Sequence, residues 1–454
     1  MAYEFLLPAF LAVALLIAAG GFELIRIERR GADCLSIFWV IFALQCLIPL
    51  ALVAVLYLFS PNGLRSDNEF FDRVYSVAGW VELSIVACFA AISLAVTYAA
   101  YGLVLERLRP SEGNNEQRLI RINIPVYLSV VGLGLLSGAV LLRSFGGGLL
   151  DGYQSLVLFR NQDQSIERGF LNANLFSLTQ TFLFIAMLGP FVTGRGDRVS
   201  RLWPAWLPLI LIFALLAVSR RAVLIPTVFA LFVLMLKSGR LRILPLALLA
   251  AAVAPVIVFG KTLLAFLAGQ AAEPSFDPDA AVKYLLLLAS DAGITIVESL
   301  ATLSLIDLPY RLGIDHLFSA LRRIPSGTMG YESHFLPDRI VRHTTEVFLA
   351  KDALDIPPGW FGQMWLDFGI FGPIVYGILV GTMLGWVEAK RRSFVNDWHA
   401  AAFFSLVAFM FALPVNTGSL DYIFSVDIIA LGLLVALFVR TRSRGGAVLT
   451  AAAP

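Results

Sequence analysis

Residues 207–236 read LPLILIFALLAVSRRAVLIPTVFALFVLML, two apolar runs divided by little more than Arg220 and Arg221. Each run is nearly long enough to cross a hydrocarbon layer, so the sequence between them has room only for a tight hairpin. An arginine at the centre of a membrane helix costs about 2.5 kcal/mol or more, which puts the pair at a helix end rather than in mid-span. No acidic residue stands between Asp197 and Glu273 to neutralise it. The hairpin sets the pattern for the whole chain.

The chain has 454 residues, of which 59% are hydrophobic and 15% charged. Soluble domains carry about a quarter charged residues, so a soluble enzyme is excluded. Apolar runs of spanning length recur from end to end, and the expected fold is an all-α polytopic membrane protein with about eleven transmembrane helices. The spans fall at 4–22, 35–60, 80–103, 122–142, 171–192, 203–218, 222–237, 243–268, 366–387, 399–414 and 421–439. The first has no basic segment before it and a basic loop after it, which reads as a span with its N-terminus outside rather than a cleaved signal.

The loops sort by charge. RIERR (26–30), ERLRPSEGNNEQRLIR (106–121), GRGDRVSR (194–201), KSGRLR (237–242), EAKRR (388–392) and RTRSR (440–444) are basic and therefore cytoplasmic. The intervening segments 61–79, 143–170, the SRR hairpin, 269–365 and 414–421 are external. One segment tests the alternation. YLLLLASDAGITIVESLATLSLI (284–306) is apolar, but counting it as a span would place EAKRR and RTRSR outside. It is expected instead as an external helix lying on or dipping into the outer face, with Asp291 and Glu298 on one side of it. The chain then divides into 1–268, eight spans with short loops; 269–365, one large external loop with amphipathic helices; and 366–454, three more spans and a basic cytoplasmic tail.

Everything cytoplasmic is short, and the sequence holds no Walker motif, DxD pair or HExxH. Chemistry, if any, belongs at the outer leaflet. Cys34, Cys46 and Cys88 match no metal spacing and are expected to be packing residues. Three clusters remain. Arg220 and Arg221 either snorkel to lipid phosphates or form an inward anion site, a task that suits permanently charged, bidentate guanidinium groups. Arg160 ends the apolar stretch LVLF in a second external segment and serves either as a helix-end cap or as a phosphate ligand, with Arg168 beyond it. In the large loop, Arg322, Arg323, Arg339 and Arg342 accompany Glu332, His334, Asp338, His343 and Glu346, and three of the four histidines (His316, His334, His343) lie there. A histidine or carboxylate in that group can take a proton from a hydroxyl nucleophile. His343 and Glu346 share a helix face but offer a metal only two ligands, so no metal is expected.

Several stretches together resemble the bacterial oligosaccharide repeat-unit polymerases of O-antigen and exopolysaccharide synthesis, the Wzy-like family. SRRAVLI (219–225) resembles that family's G-S-R element at the start of a span. MGYESHFLPDRIV (329–341) resembles its G-x-x-Y…P-R element, and IPPGWFGQMWLDFGIFGPIVYGILVG (356–381) its G-E-x-Y-x-x-F-G-x-x-G element. Gln363 stands where the family often has glutamate, and Asp338 intrudes beside Arg339. The resemblance implies a GT-C-like fold in the bacterial inner membrane, with a periplasmic N-terminus and active face and a cytoplasmic C-terminus. It also implies a metal-independent, inverting glycosyltransferase with no cofactor. The substrate would be undecaprenyl-diphosphate-linked oligosaccharide, with membrane lipid, a chain-length regulator and export proteins as partners and no nucleic acid. Arg160, Arg220, Arg221, Arg339 and Arg342 would bind the diphosphate, and Glu346, His343, Glu332 or His334 would act as base. An O-antigen ligase shares this plan with a different acceptor. A lipid-linked oligosaccharide flippase is the transporter alternative, against which stand the long external loop and the absence of an internal repeat.

Overall fold

The structure is a computed structural model that describes residues 2–59, 69–108, 118–146, 148–160, 220–240, 293–304, 310–313, 358–412, 414–417 and 438–442, with a few positions between 175 and 212. Their regular elements are helices and one two-stranded ribbon. The helices are α1 (Leu6–Arg30), α2 (Cys34–Phe59), α3 (Glu69–Val77), α4 (Trp80–Arg107), α5 (Ile124–Phe145), α6 (Leu149–Arg160) and α7 (Arg220–Ser238). They continue with α8 (Ile294–Leu303), α9 (Trp360–Phe368), α10 (Gly372–Arg391) and α11 (Trp398–Ala412). Among the described residues, five helical stretches are long and apolar enough to cross a membrane: Tyr3–Arg30, Cys34–Phe59, Trp80–Arg107, Ile124–Phe145 and Trp360–Arg391. The expected span at 243–268 and most of those at 171–192, 203–218 and 421–439 lie outside the described residues.

The fifth stretch is not one rod. Were 360–391 a straight helix, Trp360 and Tyr376 would stand about 24 Å apart along its axis. Their rings instead meet edge to face at 5.1 Å. The break is Gly369, whose φ of 56° lies in the left-handed half of backbone space that side chains avoid. So α9 folds back on α10, and the ninth span is α10 alone, beginning at Gly372 rather than at the expected 366.

α10 packs along α4 in parallel. Gly377, Gly381 and Gly385, four residues apart, put a bare strip of backbone against Ser93, Thr97, Tyr101 and Val104. In a bilayer, apolar burial does not draw helices together, and close contact between small residues takes over that role.

α2 is capped by Asp33, whose carboxylate accepts from the Ser36 amide while the Ser36 hydroxyl accepts from the Asp33 amide. Pro49 has no N–H for the carbonyl one turn earlier, and the turn Ala43–Leu47 widens into a π-helix. Gly293, at the start of α8, packs against the Pro49 ring and the Gln45 carbonyl in that notch.

The basic turns meet at one end of the bundle. The Ala32 amide donates to the Gly239 carbonyl at 2.9 Å, and Lys237 donates to the Asn396 carbonyl at 2.8 Å. β1 (Arg118–Ile122) pairs antiparallel with β2 (Phe438–Arg442), aligning Arg118 with Arg442 and Ile120 with Arg440. Of the segments that the charge alternation grouped on one side, those around 26–34, 237–240 and 388–396 therefore meet, and 118–121 pairs with 439–442, while 194–201 lies outside the described residues.

That end holds a feature the hydropathy pattern misplaced. The first span was expected to stop at residue 22, yet α1 runs on to Arg30 with Glu23 fully buried. Arg26 explains this. It clamps both Glu23 oxygens at 2.7 Å and reaches Asp33 at 2.7 and 2.8 Å and the Ser36 hydroxyl at 2.6 Å. Tyr98 and Tyr101 of α4 donate to Glu23 and Asp33. Glu388 of α10 adds a second knot, accepting from Arg391, Arg392 and the Cys34 amide. Charges that satisfy one another do not end a helix.

Candidate functional site

The end opposite the basic turns is where chemistry was expected. α10 runs from Glu388, beside Cys34, to Gly372 at this opposite end, and α9 turns inward from there. α9 lies against α8, and every residue of α8 from Thr295 to Leu303 is buried. α8 and the first six residues of α9 come from the segment expected as a large external loop. Of the segment 284–306, expected to lie on or dip into the outer face, the described part is α8, and it is packed inside the bundle. Its Glu298 is 3% exposed, and Asp291 lies outside the described residues.

Hydroxyls join the two helices. The first amides of α9 have no partner within their own helix, and its N-cap, Gly359, has no side chain to offer. Thr295 accepts from the Trp360 amide at 2.7 Å, while Ser299 accepts from Phe361 and Gly362 at 3.1 and 3.2 Å. Thr302 returns a bond to the Pro358 carbonyl at 3.0 Å. Such caps are worth about 1 kcal/mol each. Here they are supplied by a helix some sixty residues away in sequence. Thr295, Ser299 and Thr302 form a polar stripe at helical spacing, and that spacing was the available signal.

The second polar centre is Asp367, fully buried near the C-terminal end of α9. Gln363, one turn earlier, donates its amide to Oδ1 at 2.9 Å, and the Tyr376 hydroxyl of α10 donates to Oδ2 at 2.5 Å. The Gly313 amide donates to Oδ1 at 3.2 Å. Two further backbone bonds run beside it, from Arg311 to the Leu366 carbonyl at 2.7 Å and from Leu312 to the Asp367 carbonyl at 3.0 Å. The stretch 310–313 is thus laid along the end of α9. Leu312 adopts a φ of 51° there, a strained value for a bulky residue, followed by Gly313 at 74°. The sequence analysis did not single out Asp367. The Gln363–Asp367 spacing of four on a helix was the signal, and it bears on the departure at Gln363: the residue stands where glutamate is common, and a carboxylate follows one turn later.

The expected diphosphate ligands divide. Arg220 and Arg221 are the first two residues of α7. Ser238 and Gly239 lie at the basic end, so a helix of 19 residues, about 28 Å long, starts the arginines near the opposite end. Arg160 is the last residue of α6. The remaining expected site residues, Arg339, Arg342, Glu332, His334, His343 and Glu346, all lie outside the described residues.

Residues 314–426 match a family model described as putative O-antigen polymerase. The matched region contains two of the three motifs that carried the resemblance, MGYESHFLPDRIV and the stretch through α9 into α10, and it supports the Wzy-like polymerase family. With the apolar spans, it supports a membrane polymerase. Comparison with curated proteins gave no match, and comparison with solved structures gave none either.

Proposed function

We propose, from the match to the O-antigen polymerase family, that this chain is a glycosyltransferase of the bacterial inner membrane. It polymerises undecaprenyl-diphosphate-linked oligosaccharide repeat units at the periplasmic face, for O-antigen or exopolysaccharide. The observation that carries this is the match over residues 314–426, which runs from the arginine- and histidine-bearing segment through α9, α10 and α11.

In the proposed reaction a hydroxyl at the non-reducing end of an incoming repeat unit attacks the anomeric carbon of the growing glycan. The bond from that carbon to the diphosphate breaks, and its electron pair leaves on undecaprenyl diphosphate with inversion at the carbon. Glu346, His343, Glu332 or His334 takes the hydroxyl proton. Arg160, Arg220, Arg221, Arg339 and Arg342 stabilise the charge that develops on the leaving diphosphate, without a metal. The start of α7 at Arg220 favours this role for its arginines, since the positive end of the helix dipole adds to their charge.

The test is the polysaccharide ladder of cells carrying Arg221→Ala, with protein abundance checked by immunoblot. Collapse to single repeat units at normal abundance is the expected result. An unchanged ladder would assign Arg221 to lipid phosphates and remove it from the site.

A further inference from the structure

Residues 311–313 and 358–359 are the two points where the segment 314–357 leaves and rejoins the described fold, and both are fastened to α9. At the rejoining end, Pro358 bonds Thr302, and Gly359 sits against Thr295 and Ser299. At the leaving end the fastening converges on one side chain. Asp367 takes the Gly313 amide on the oxygen that also takes Gln363, while its other oxygen is held by Tyr376 of the neighbouring span. α9 itself is locked to α8 through the Thr295 and Ser299 hydroxyls.

The geometry points to Asp367 as a positioning residue for the proposed reaction. It ties the chain at Gly313 to α9 and α10, at the point from which the sequence runs on toward the histidines and arginines of the proposed reaction.

Three features support this over simple packing. Asp367 is a fully buried carboxylate that accepts from three donors on three separate stretches of chain, which uses most of its acceptor capacity to hold them. Two of the stretches, α9 and α10, are already joined by the Gly369 turn and the contact between the Trp360 and Tyr376 rings, so they need no carboxylate to hold them together. The third, 310–313, is held in a strained conformation by Asp367 and its neighbouring carbonyl. Strain of this kind persists only where the surroundings impose it. Tyr310, half a turn back, packs its ring against Trp365 at 6.3 Å, so the same strap is also seated by an aromatic contact. The carboxylate therefore adds the tie at Gly313, the last described residue of the strap.

This inference rests on the polymerase proposal, and its test separates the two. Asp367→Asn keeps the shape and removes the charge. Purified full-length protein in proteoliposomes is supplied with the lipid-linked single repeat units that accumulate in cells lacking this protein. The expected result is a kcat at least tenfold lower with KM within twofold of wild type. In parallel, a nitroxide is placed at the exposed position 312 (Leu312→Cys), with the exposed Cys88 replaced by serine. Its spectrum should sharpen from an immobilised to a mobile line shape in the Asp367→Asn background. A wild-type kcat, or an unchanged spectrum, overturns the inference. If Asp367→Asn does not accumulate in the membrane, Gln363→Leu decides. It removes the amide that steadies Oδ1, the oxygen that also accepts from Gly313, so a looser Gly313 tie and a kcat reduced by roughly three- to tenfold are expected, and an unchanged kcat overturns the inference. If wild-type protein makes no polymer at all, the polymerase proposal fails, while the nitroxide spectra still decide whether Asp367 holds the strap.

Discussion

Arg26→Met removes the cation at the centre of the buried knot that joins α1, α2 and α4. The side chains of Glu23 and Asp33 are 0% and 6% exposed, and that of Arg26 is 9%. Methionine replaces the stem of the arginine but none of its five charge-assisted bonds to Glu23, Asp33 and Ser36. Breaking a buried ion pair by deleting one partner costs about 3–5 kcal/mol, because the remaining charge is stranded in low dielectric. Two carboxylates are stranded here, and Tyr98 and Tyr101 still donate one bond to each, so the expected loss is about 4 kcal/mol. The assay is an unfolding titration in mixed micelles with a thiol-reactive fluorophore. Cys34 and Cys46 are buried and free, so they label only as the bundle opens, with Cys88 replaced by serine. The double variant Arg26→Met/Glu23→Gln should recover a substantial part of the loss, since one stranded charge is gone. A loss under about 1 kcal/mol for Arg26→Met, or no recovery in the double variant, would mean that the carboxylates are hydrated, and the clamp would not exist.

Three further outcomes follow from the same geometry. Gly359→Ala is expected to cost roughly 2–5 kcal/mol, because φ of 71° and ψ of 165° are open essentially to glycine alone and a Cβ there would overlap Thr295 and Ser299; a cost below 1 kcal/mol in the micelle titration would refute the hydroxyl-capped junction. Leu312→Asn should stabilise by about 1 kcal/mol, since the side chain is 68% exposed and asparagine tolerates the left-handed conformation; destabilisation would show that Leu312 makes contacts outweighing its strain. Burial works against the charged form of Asp33, but the guanidinium of Arg26 and the hydroxyl of Tyr101 more than offset it and hold the carboxyl below its ordinary value of 3.8. A depressed carboxyl stabilises the fold above its unfolded-state value and loses that contribution as pH falls through the lower folded value. The stability gap between wild type and Asp33→Asn should therefore stay constant from pH 7 to about pH 5 and narrow only below about pH 4, and narrowing already near pH 6 would contradict it.

Sequence alone located the observed spans to within a few residues at most ends, because the cost of placing a residue in hydrocarbon depends on that residue's own chemistry. The same logic put Arg220 at the beginning of a helix and assigned the basic loops to a common side, and the described turns at 32, 237–239 and 396 do meet. It failed where a polar group is satisfied by something distant. Glu23 and Arg26 read as the exit from a membrane, yet Asp33, Tyr98 and Tyr101 keep them inside a continuing helix. The segment around α8 read as external because counting it as a span would place EAKRR and RTRSR outside. Only the fold shows that Thr295, Ser299 and Thr302 complete the hydrogen bonds of a chain entering from elsewhere, and that Gly369 turns an apparent 32-residue span back on itself. Asp367 was hidden for the same reason: its role is defined by Gly313 and Tyr376, and neither could be paired with it by spacing. Hydrophobic cost is a local property that a linear chain displays; hydrogen-bond satisfaction between remote segments exists only once the chain has folded.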